Sequence, residues 1–396
     1  MNFFLLTAIK AAVLAFVLLT TLAYLQWIER KVIAHIQSRL GPSRVGPHGL
    51  LQPLADVIKL ITKEDLLPPH VNKFFYLLAP FLAVTMALLS ISVIPFGAQT
   101  EIAGTPTWMQ LTDLNVGVLF VLAVSSMGVY GIALAGWASN NKYSLLGGLR
   151  SSAQLISYKL PLSLAVAAPL LLANTLSLRE IVQAQSAFYW SFIPKWNILQ
   201  LPAPQLVSFI VFLIAGFAET NRVPFDLPEA ETELVAGFHT EYSSMKFAAF
   251  FMAEYANMIT VASMTTILFL GGWLPPFPAA LGSDFIAPAL LAFAGAISLY
   301  HGLHPARRLD RYTLPAVALV FFALAAAFLI PAVVAMFMPV FWFVAKTGLL
   351  LFVFIWIRGT LPRFRYDQLM GFAWKFLFPV AVLNLLVTGL LVALFS

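Results

Sequence analysis

Six of the seventeen acidic residues of this chain fall between Glu219 and Glu241, in the run FAETNRVPFDLPEAETELVAGFHTE. Around them only 10% of residues are charged and 61% are hydrophobic. Carboxylates are costly at membrane depth and usually mark a substrate or ion pathway there. Pro224 and Pro228 break any regular helix in the run, and Asp226, Glu229, Glu231 and Glu233 follow the first break. So many carboxylates in one stretch cannot all stay ionised if partly buried, because repulsion and desolvation favour the protonated form. Proton uptake and release, or contact with a polar headgroup, is therefore the chemistry to expect. A solvated acidic loop is the plainer reading of a charge run. It accounts for Glu241, but not for Glu219 and Glu254, which sit at or inside apolar runs. The alternation of Glu229, Glu231 and Glu233 has a hard-metal look, yet no fixed ligand spacing supports a metal site.

Two further segments are richer in polar residues than a connector needs. The first spans Glu29 to Lys73, broken into turns by Gly41, Pro42, Gly46, Pro47 and Gly49. Within it, Leu50, Leu51, Leu54, Val57, Ile58 and Ile61 recur at spacings of three and four, opposite Gln52, Asp56 and Lys59. That pattern predicts an amphipathic helix lying in the membrane interface, placed to wall an opening for a lipid-soluble substrate. A helix that merely links two spans is the simpler alternative. The second segment, IRGTLPRFRYDQLMGFAWK, carries Arg358, Arg363, Arg365, Asp367 and Lys375. Its cations can anchor at the interface, neutralise the acidic run or dock a soluble partner.

These segments need elements to hold them. Mean hydropathy is +0.89, and a helix crossing a bilayer takes about 20 apolar residues. Some ten stretches qualify, near 3–27, 75–95, 115–136, 155–173, 205–218, 248–270, 285–300, 313–331, 334–357 and 376–395. The fifth is short, and the long apolar block from 313 to 357 divides at Pro331. The chain therefore reads as one all-α polytopic membrane domain over 1–396. The first apolar run is too long for a signal-peptide core and reads as a retained span. Odd-numbered loops hold eighteen Lys and Arg, and even-numbered loops hold Arg179 and Lys195. That alternation sets the odd loops on the inner face and both termini on the outer, periplasmic face. The net charge of +6 thus reports topology and anionic lipid contact rather than nucleic acid. No cysteine is present, which excludes thiolate-ligated iron–sulfur clusters. No GxGxxG after a strand, Walker motif or HExxH appears. Any electrons must be carried by partners.

The polar segments together resemble one family, the quinone-site membrane subunit of respiratory complex I, known by the letter H in bacteria and as subunit 1 in mitochondria. The resemblance rests on ERK at Glu29–Lys31 and on GP-x3-GP-x-GLLQP-x-AD from Gly41 to Asp56. It continues through TKE at Thr62–Glu64, FAETNR-x-PFDLPEAE-x-ELVAGF from Phe217 to Phe238, and AEY-x-N at Ala253–Asn257. LPRFRYDQLM at Leu361–Met370 and WK at Trp374–Lys375 complete it. The resemblance implies a subunit of a proton-translocating NADH–quinone oxidoreductase in the bacterial cytoplasmic membrane. Such a subunit is not redox-active alone and holds no flavin, iron–sulfur cluster or metal; quinone is its bound substrate. Implied partners are iron–sulfur and quinone-site subunits of a hydrophilic arm, small membrane subunits and antiporter-like subunits. By motif, Glu29, Arg30, Lys31, Arg222, Phe225, Asp226, Glu229 and Glu231 would line the quinone chamber. Asp56, Lys159, Glu219, Glu233 and Glu254 would form the polar coupling path. Arg358, Arg363, Arg365 and Asp367 would dock partners, and the 50–61 helix would border the chamber entrance with the first and sixth spans.

Two departures stand out. The family pattern has Glu after Ser-Tyr in RSSAQLISYKLPL, where this chain has Lys159, which reverses the local charge and suits a pair with an acidic-segment carboxylate. About sixty residues, 279–339, carry two apolar spans around HPARRLDR between family-core parts 1–278 and 340–396. Two alternatives stay open: a related complex fed by ferredoxin, F420 or hydrogen, and a free-standing ion transporter with carboxylates at broken helices.

Overall fold

The computed structural model describes residues 3–102, 105–227, 234–278, 281–305 and 308–395. Among them, nine helices are long and apolar enough to cross a membrane, and the shorter apolar helix Leu206–Glu219 makes a tenth hydrophobic element. The all-α polytopic reading therefore holds, and the short fifth stretch is a short helix here too. In chain order the helices are α1 (Phe3–Ile36), α2 (Gln52–Thr62), α3 (Lys73–Ile91), α4 (Gly117–Ala138), α5 (Lys142–Ala173), α6 (Leu178–Ala184) and α7 (Leu206–Glu219). Then come α8 (Ser244–Phe269), α9 (Ser283–Leu303), α10 (Asp310–Ala327) and α11 (Pro331–Thr360). The last, α12, runs Tyr366–Phe395 and widens into a π-helical turn over Ala373–Leu377. Pro331 opens α11, where its missing N–H costs nothing, so the long apolar block divides there.

Two helices run further than hydrophobicity alone predicts. α1 continues past the apolar run through Glu29, Arg30 and Lys31, and α5 begins at Lys142, well before residue 155. In each case the polar residues find partners on neighbouring helices, so the helix has no reason to end. Asn141 caps α5, its side chain accepting from Tyr143 N at 2.9 Å.

The central helix is α8, whose residues from Thr260 to Phe269 are all buried. α3, α7, α11 and α1 pack around it, and α5 bridges α4, α7 and α12. The α4–α5 contact is close because glycines face each other: a Cβ on Gly136 would sit 2.6 Å from Ser144 O and 3.0 Å from Gly148 Cα. α9 and α10 pair mainly with each other and lean on the start of α11 through Ala287, Met338 and Trp342.

Long-range contacts sort the loops into two ends. At one end Lys246 meets Asp65 (2.9 Å), Asn141 Nδ2 donates to Glu241 (2.7 Å), His48 meets Asp310 (3.1 Å), and Arg363 meets Asp226 (2.8 Å). These all belong to the basic, odd-numbered loops. At the other end Lys10 bonds Trp108 O (3.0 Å) and Arg179 meets Asp113 (2.7 Å). The charge alternation and the packing thus describe the same topology.

Candidate functional site

The inner end holds a group of four charges, three buried and Arg358 part-exposed, drawn from four separate segments. Glu29 comes from α1, Arg222 from the turn after α7, Glu254 from α8 and Arg358 from the last turn of α11. Arg222 lies 3.6 Å from Glu29 Oε1 and 3.8 Å from Glu254 Oε2, and its guanidinium stacks over Tyr255 at 4.3 Å. Arg358 pairs with the same oxygen of Glu29. Glu29, Arg222 and Glu254 are 3%, 5% and 7% exposed, a depth at which a charge is tolerated only with a partner. Glu29 Oε2 is buried and has no hydrogen-bond partner among the described residues. It is a ready acceptor.

The turn that aims Arg222 is held from outside itself. Asn221 adopts the left-handed conformation at φ 51°, which lets the chain reverse directly after α7. Gln154, fully buried on α5, donates its amide to Ala218 O (2.9 Å) and Phe225 O (2.8 Å) and lies 3.4 Å from Asn221 Oδ1. On the far side Phe364 N donates to Pro224 O (3.1 Å), and Arg363 donates to Asp226 Oδ2 (2.8 Å). Phe225 is wedged edge-on against Tyr158 and beside Phe364. Pro228, Glu229, Glu231 and Glu233 lie outside the described residues.

α2 sits beside α1 and α8. Arg30 donates to Asp56 at 2.8 Å, Gln52 reaches Asp56 at 3.0 Å, and Ser244 Oγ donates to Leu60 O at 2.9 Å. Its apolar residues Leu54, Val57, Ile58 and Ile61, with Leu50 and Leu51 just before it, stay exposed, so that face is uncovered among the described residues. Lys31 lies over the Trp27 ring at 5.6 Å, along the same helix.

One cavity borders the charged group through Glu254, and a second runs along α1 up to the residue before Glu29. The first, of 480 Å³, is lined by Ser125, Lys159, Glu219, Asn221, Glu254 and Asn257 among others. In it Lys159 is ion-paired with Glu219 and donates to Ser125 Oγ at 2.5 Å. Glu254 therefore borders both the Arg222 group and this cavity. The second, also 480 Å³, is an apolar groove between α1 and α11, floored by α8. It runs along α1 from Leu14 to Ile28, about 21 Å at the helical rise. Its inner end is marked by Ile28, next to Glu29, and by Ile355, one turn before Arg358.

Of the candidate residues, the fold brings Glu29, Arg222, Glu254 and Arg358 into one group, and Asp226 with Phe225 and Arg363 beside it. Arg30 and Asp56 form a separate pair, as do Lys159 and Glu219. Arg365 and Asp367 pair at 2.8 Å with side chains 73% and 66% exposed, away from the buried charges. Sequence reading missed three contributors. Gln154 and Asn257 are polar residues in apolar runs, a usable signal. Lys346 stands out in the sequence only as a lysine within a span. At the outer end it donates to the carbonyls of Leu270 (2.6 Å), Gly272 (2.9 Å) and Leu274 (2.6 Å) and stacks over Trp196 at 4.2 Å. At the inner end, burial pushes the Tyr242 hydroxyl up, and it donates to Tyr76 O at 3.2 Å.

Comparison with known proteins places the chain. The family model described as NADH dehydrogenase matches residues 9–389. The first NADH-quinone oxidoreductase H-subunit of Solibacter usitatus (strain Ellin6076) is 70% identical over 392 residues, 99% of this chain and 98% of its own length. This chain belongs to the H-subunit family of complex I. Koribacter versatilis (strain Ellin345) has a second NADH-quinone oxidoreductase H-subunit that is 51% identical over 402 residues, 99% of this chain and 98% of its own. The H-subunit of Protochlamydia amoebophila (strain UWE25) is 45% identical over 370 residues, covering 93% and 92%. The Solibacter match spans nearly all of the chain, so H-subunit sequences with the α9–α10 region exist beyond this one. Family membership confirms the resemblance carried by the polar loops.

Proposed function

We propose that this chain is the membrane subunit of a proton-translocating NADH–quinone oxidoreductase in a bacterial cytoplasmic membrane, and that it encloses the quinone headgroup beside the Arg222 group. The observation that carries this reading is the junction along α1 of a 21 Å apolar groove, ending at Ile28, with a charged group that begins at Glu29, three of its four members buried. A molecule with a long apolar tail and a small polar head suits such a junction. Arg222 and Arg358 supply donors, and Glu29 Oε2 supplies an open acceptor. Phe225, Asp226 and Arg363 bound the same region, with Arg30 and Lys31 along α1; Glu229 and Glu231 would join from the adjoining stretch. α2, with its exposed apolar face, borders the entrance between α1 and α8.

Reduction of quinone to quinol takes two electrons and two protons. Electrons come from iron–sulfur subunits of a hydrophilic arm, since this chain has no cysteine to ligate a cluster. The consequent change in charge passes through Glu254 to the cavity holding Lys159 and Glu219, with Asp56 and Glu233 on the same polar path, and on to small and antiporter-like membrane subunits. Arg365 and Asp367, exposed at the inner end, serve docking. Residues 279–339 are read as an addition to a core made of 1–278 and 340–396.

Gentle purification of the tagged chain tests the assembly: flavin- and iron–sulfur-bearing proteins should come with it, and the flavin protein names the donor. A chain that runs alone, where other respiratory complexes survive, argues for the transporter reading. Within the purified complex, Glu29→Gln should lower quinone reduction while NADH oxidation by a soluble acceptor is unchanged. Equal quinone turnover in that variant would contradict the headgroup placement.

A further inference from the structure

The α9–α10 hairpin has no part in the site described. Its two helices are fastened to each other: Ser298 Oγ donates to Leu314 O at 2.9 Å, and a Cβ on Gly302 would lie 2.6 Å from Pro315 Cδ. Its inner tip carries His301, His304, Arg308 and Arg311, all exposed. The one acid there, Asp310, is 7% exposed and engaged by His48 Nε2 at 3.1 Å. That contact joins the hairpin to the first inner loop, which also carries the exposed Arg44.

Positive-inside topology explains why cations collect at this end. It does not explain how carboxylates are shared among them. Arg30, Arg222, Arg358, Arg363 and Arg365 each face a carboxylate. Arg44, Arg308 and Arg311 face none among the described residues, and Arg39, elsewhere in the first loop, faces only the Gln37 amide. In the same stretch Leu303 (68%) and Leu309 (52%) expose apolar side chains, and Tyr300 and Tyr312 stand exposed at the two helix ends. Tyrosine at that level marks the headgroup zone of a bilayer. The uncompensated cations therefore share their end of the hairpin with tyrosines of the headgroup zone and with exposed leucines suited to acyl chains. Guanidinium binds phosphate oxygens in a fork geometry, which suits Arg better than Lys for this task.

We propose that Arg308 and Arg311 at the inner end of the α9–α10 hairpin, with Arg44 on the loop joined to it through His48, form a binding site for the headgroup of an anionic phospholipid. An acidic segment of a partner subunit would satisfy the charges but not the exposed leucines and tyrosines on both helices.

The test uses the intact complex, reconstituted in zwitterionic phosphatidylcholine doped with photoreactive phosphatidylglycerol or, separately, photoreactive phosphatidylcholine. Labelled peptides from the hairpin are counted by mass spectrometry. Phosphatidylglycerol should label the tip in preference to phosphatidylcholine, and added salt should erase that preference in the unaltered protein. Arg308→Gln with Arg311→Gln should weaken the preference about 30-fold, some five-fold for each arginine. The pair Lys59→Gln and Lys63→Gln on and just after α2 should leave it unchanged. Equal labelling by the two lipids, a salt-insensitive preference, no effect of the arginine pair, or crosslinks from the tip to another subunit in place of lipid would each overturn the proposal. The salt titration needs no variant, so a failure to assemble leaves it decisive.

Discussion

Replacing Arg222 with Gln removes the cation that stands between two buried carboxylates. At 3.6 and 3.8 Å, each attraction is worth about 4 kcal/mol gross at an effective dielectric of roughly 20. Much of that is offset by the desolvation of burying three charges. Measured losses on breaking a buried pair run about 3–5 kcal/mol, chiefly because the remaining charge is left uncompensated. Glu29 keeps Arg358, so the loss falls mainly on Glu254, which gives up its Arg222 contact, and it belongs at the low end, about 3 kcal/mol. Stacking on Tyr255 adds about 1 kcal/mol. Arg222→Lys keeps the charge but cannot fork between both carboxylates and stack as well, so it should fall between the two. The informative variant is Arg222→Gln with Glu254→Gln, which removes both charges of that pair together. It should recover most of the intact complex that the single variant loses, a coupling of about 2 kcal/mol. Complex yield and thermal dissociation report stability, and quinone-dependent NADH oxidation against oxidation by a soluble acceptor reports the site. A double variant no better than Arg222→Gln alone would refute the reasoning, as would an Arg222→Gln enzyme with unaltered stability and quinone kinetics.

Three other predictions follow from the same geometry. Lys159→Met should destabilise the subunit by about 3 kcal/mol by stranding Glu219, and Lys159→Glu should change the proton-to-electron ratio in sealed vesicles; an unchanged ratio argues against a coupling role. Gln154→Leu leaves the buried Phe225 O without a donor and Ala218 O with only backbone donors, at a cost of about 2 kcal/mol, and should raise KM for quinone more than it lowers kcat. Its effect combined with Arg222→Gln should be less than additive, because both act on one turn. Lys346→Met strips three carbonyls at the outer end of their donor and should lower the dissociation temperature while quinone kinetics stay the same.

Much of this architecture is legible in the chain because bilayer solvation is a coarse filter. Apolar length located the spans, Pro331 located the break before α11, and three- and four-residue spacing located α2. Glu219 and Glu254 announced themselves by standing in apolar runs. The pairings were not legible. Glu29, Arg222 and Arg358 lie far apart in sequence, and nothing local says that two arginines converge on one carboxylate. α1 and α5 ran past their apolar limits for the same reason: the partners that make polar residues tolerable there belong to other helices. Gln154 shows the limit most clearly. A glutamine inside a span signals a need for hydrogen bonds, but that its amide closes the turn after α7 depends on how α5 crosses α7.

The headgroup position is the central claim, and a photoreactive quinone carrying its crosslinker on the ring tests it most directly. Irradiated with the intact complex and digested, it should label peptides containing Glu29 and the Arg222–Asp226 turn, and excess unmodified quinone should compete the label away. Label confined to other subunits, or to the outer-end loops of this chain, would contradict the account.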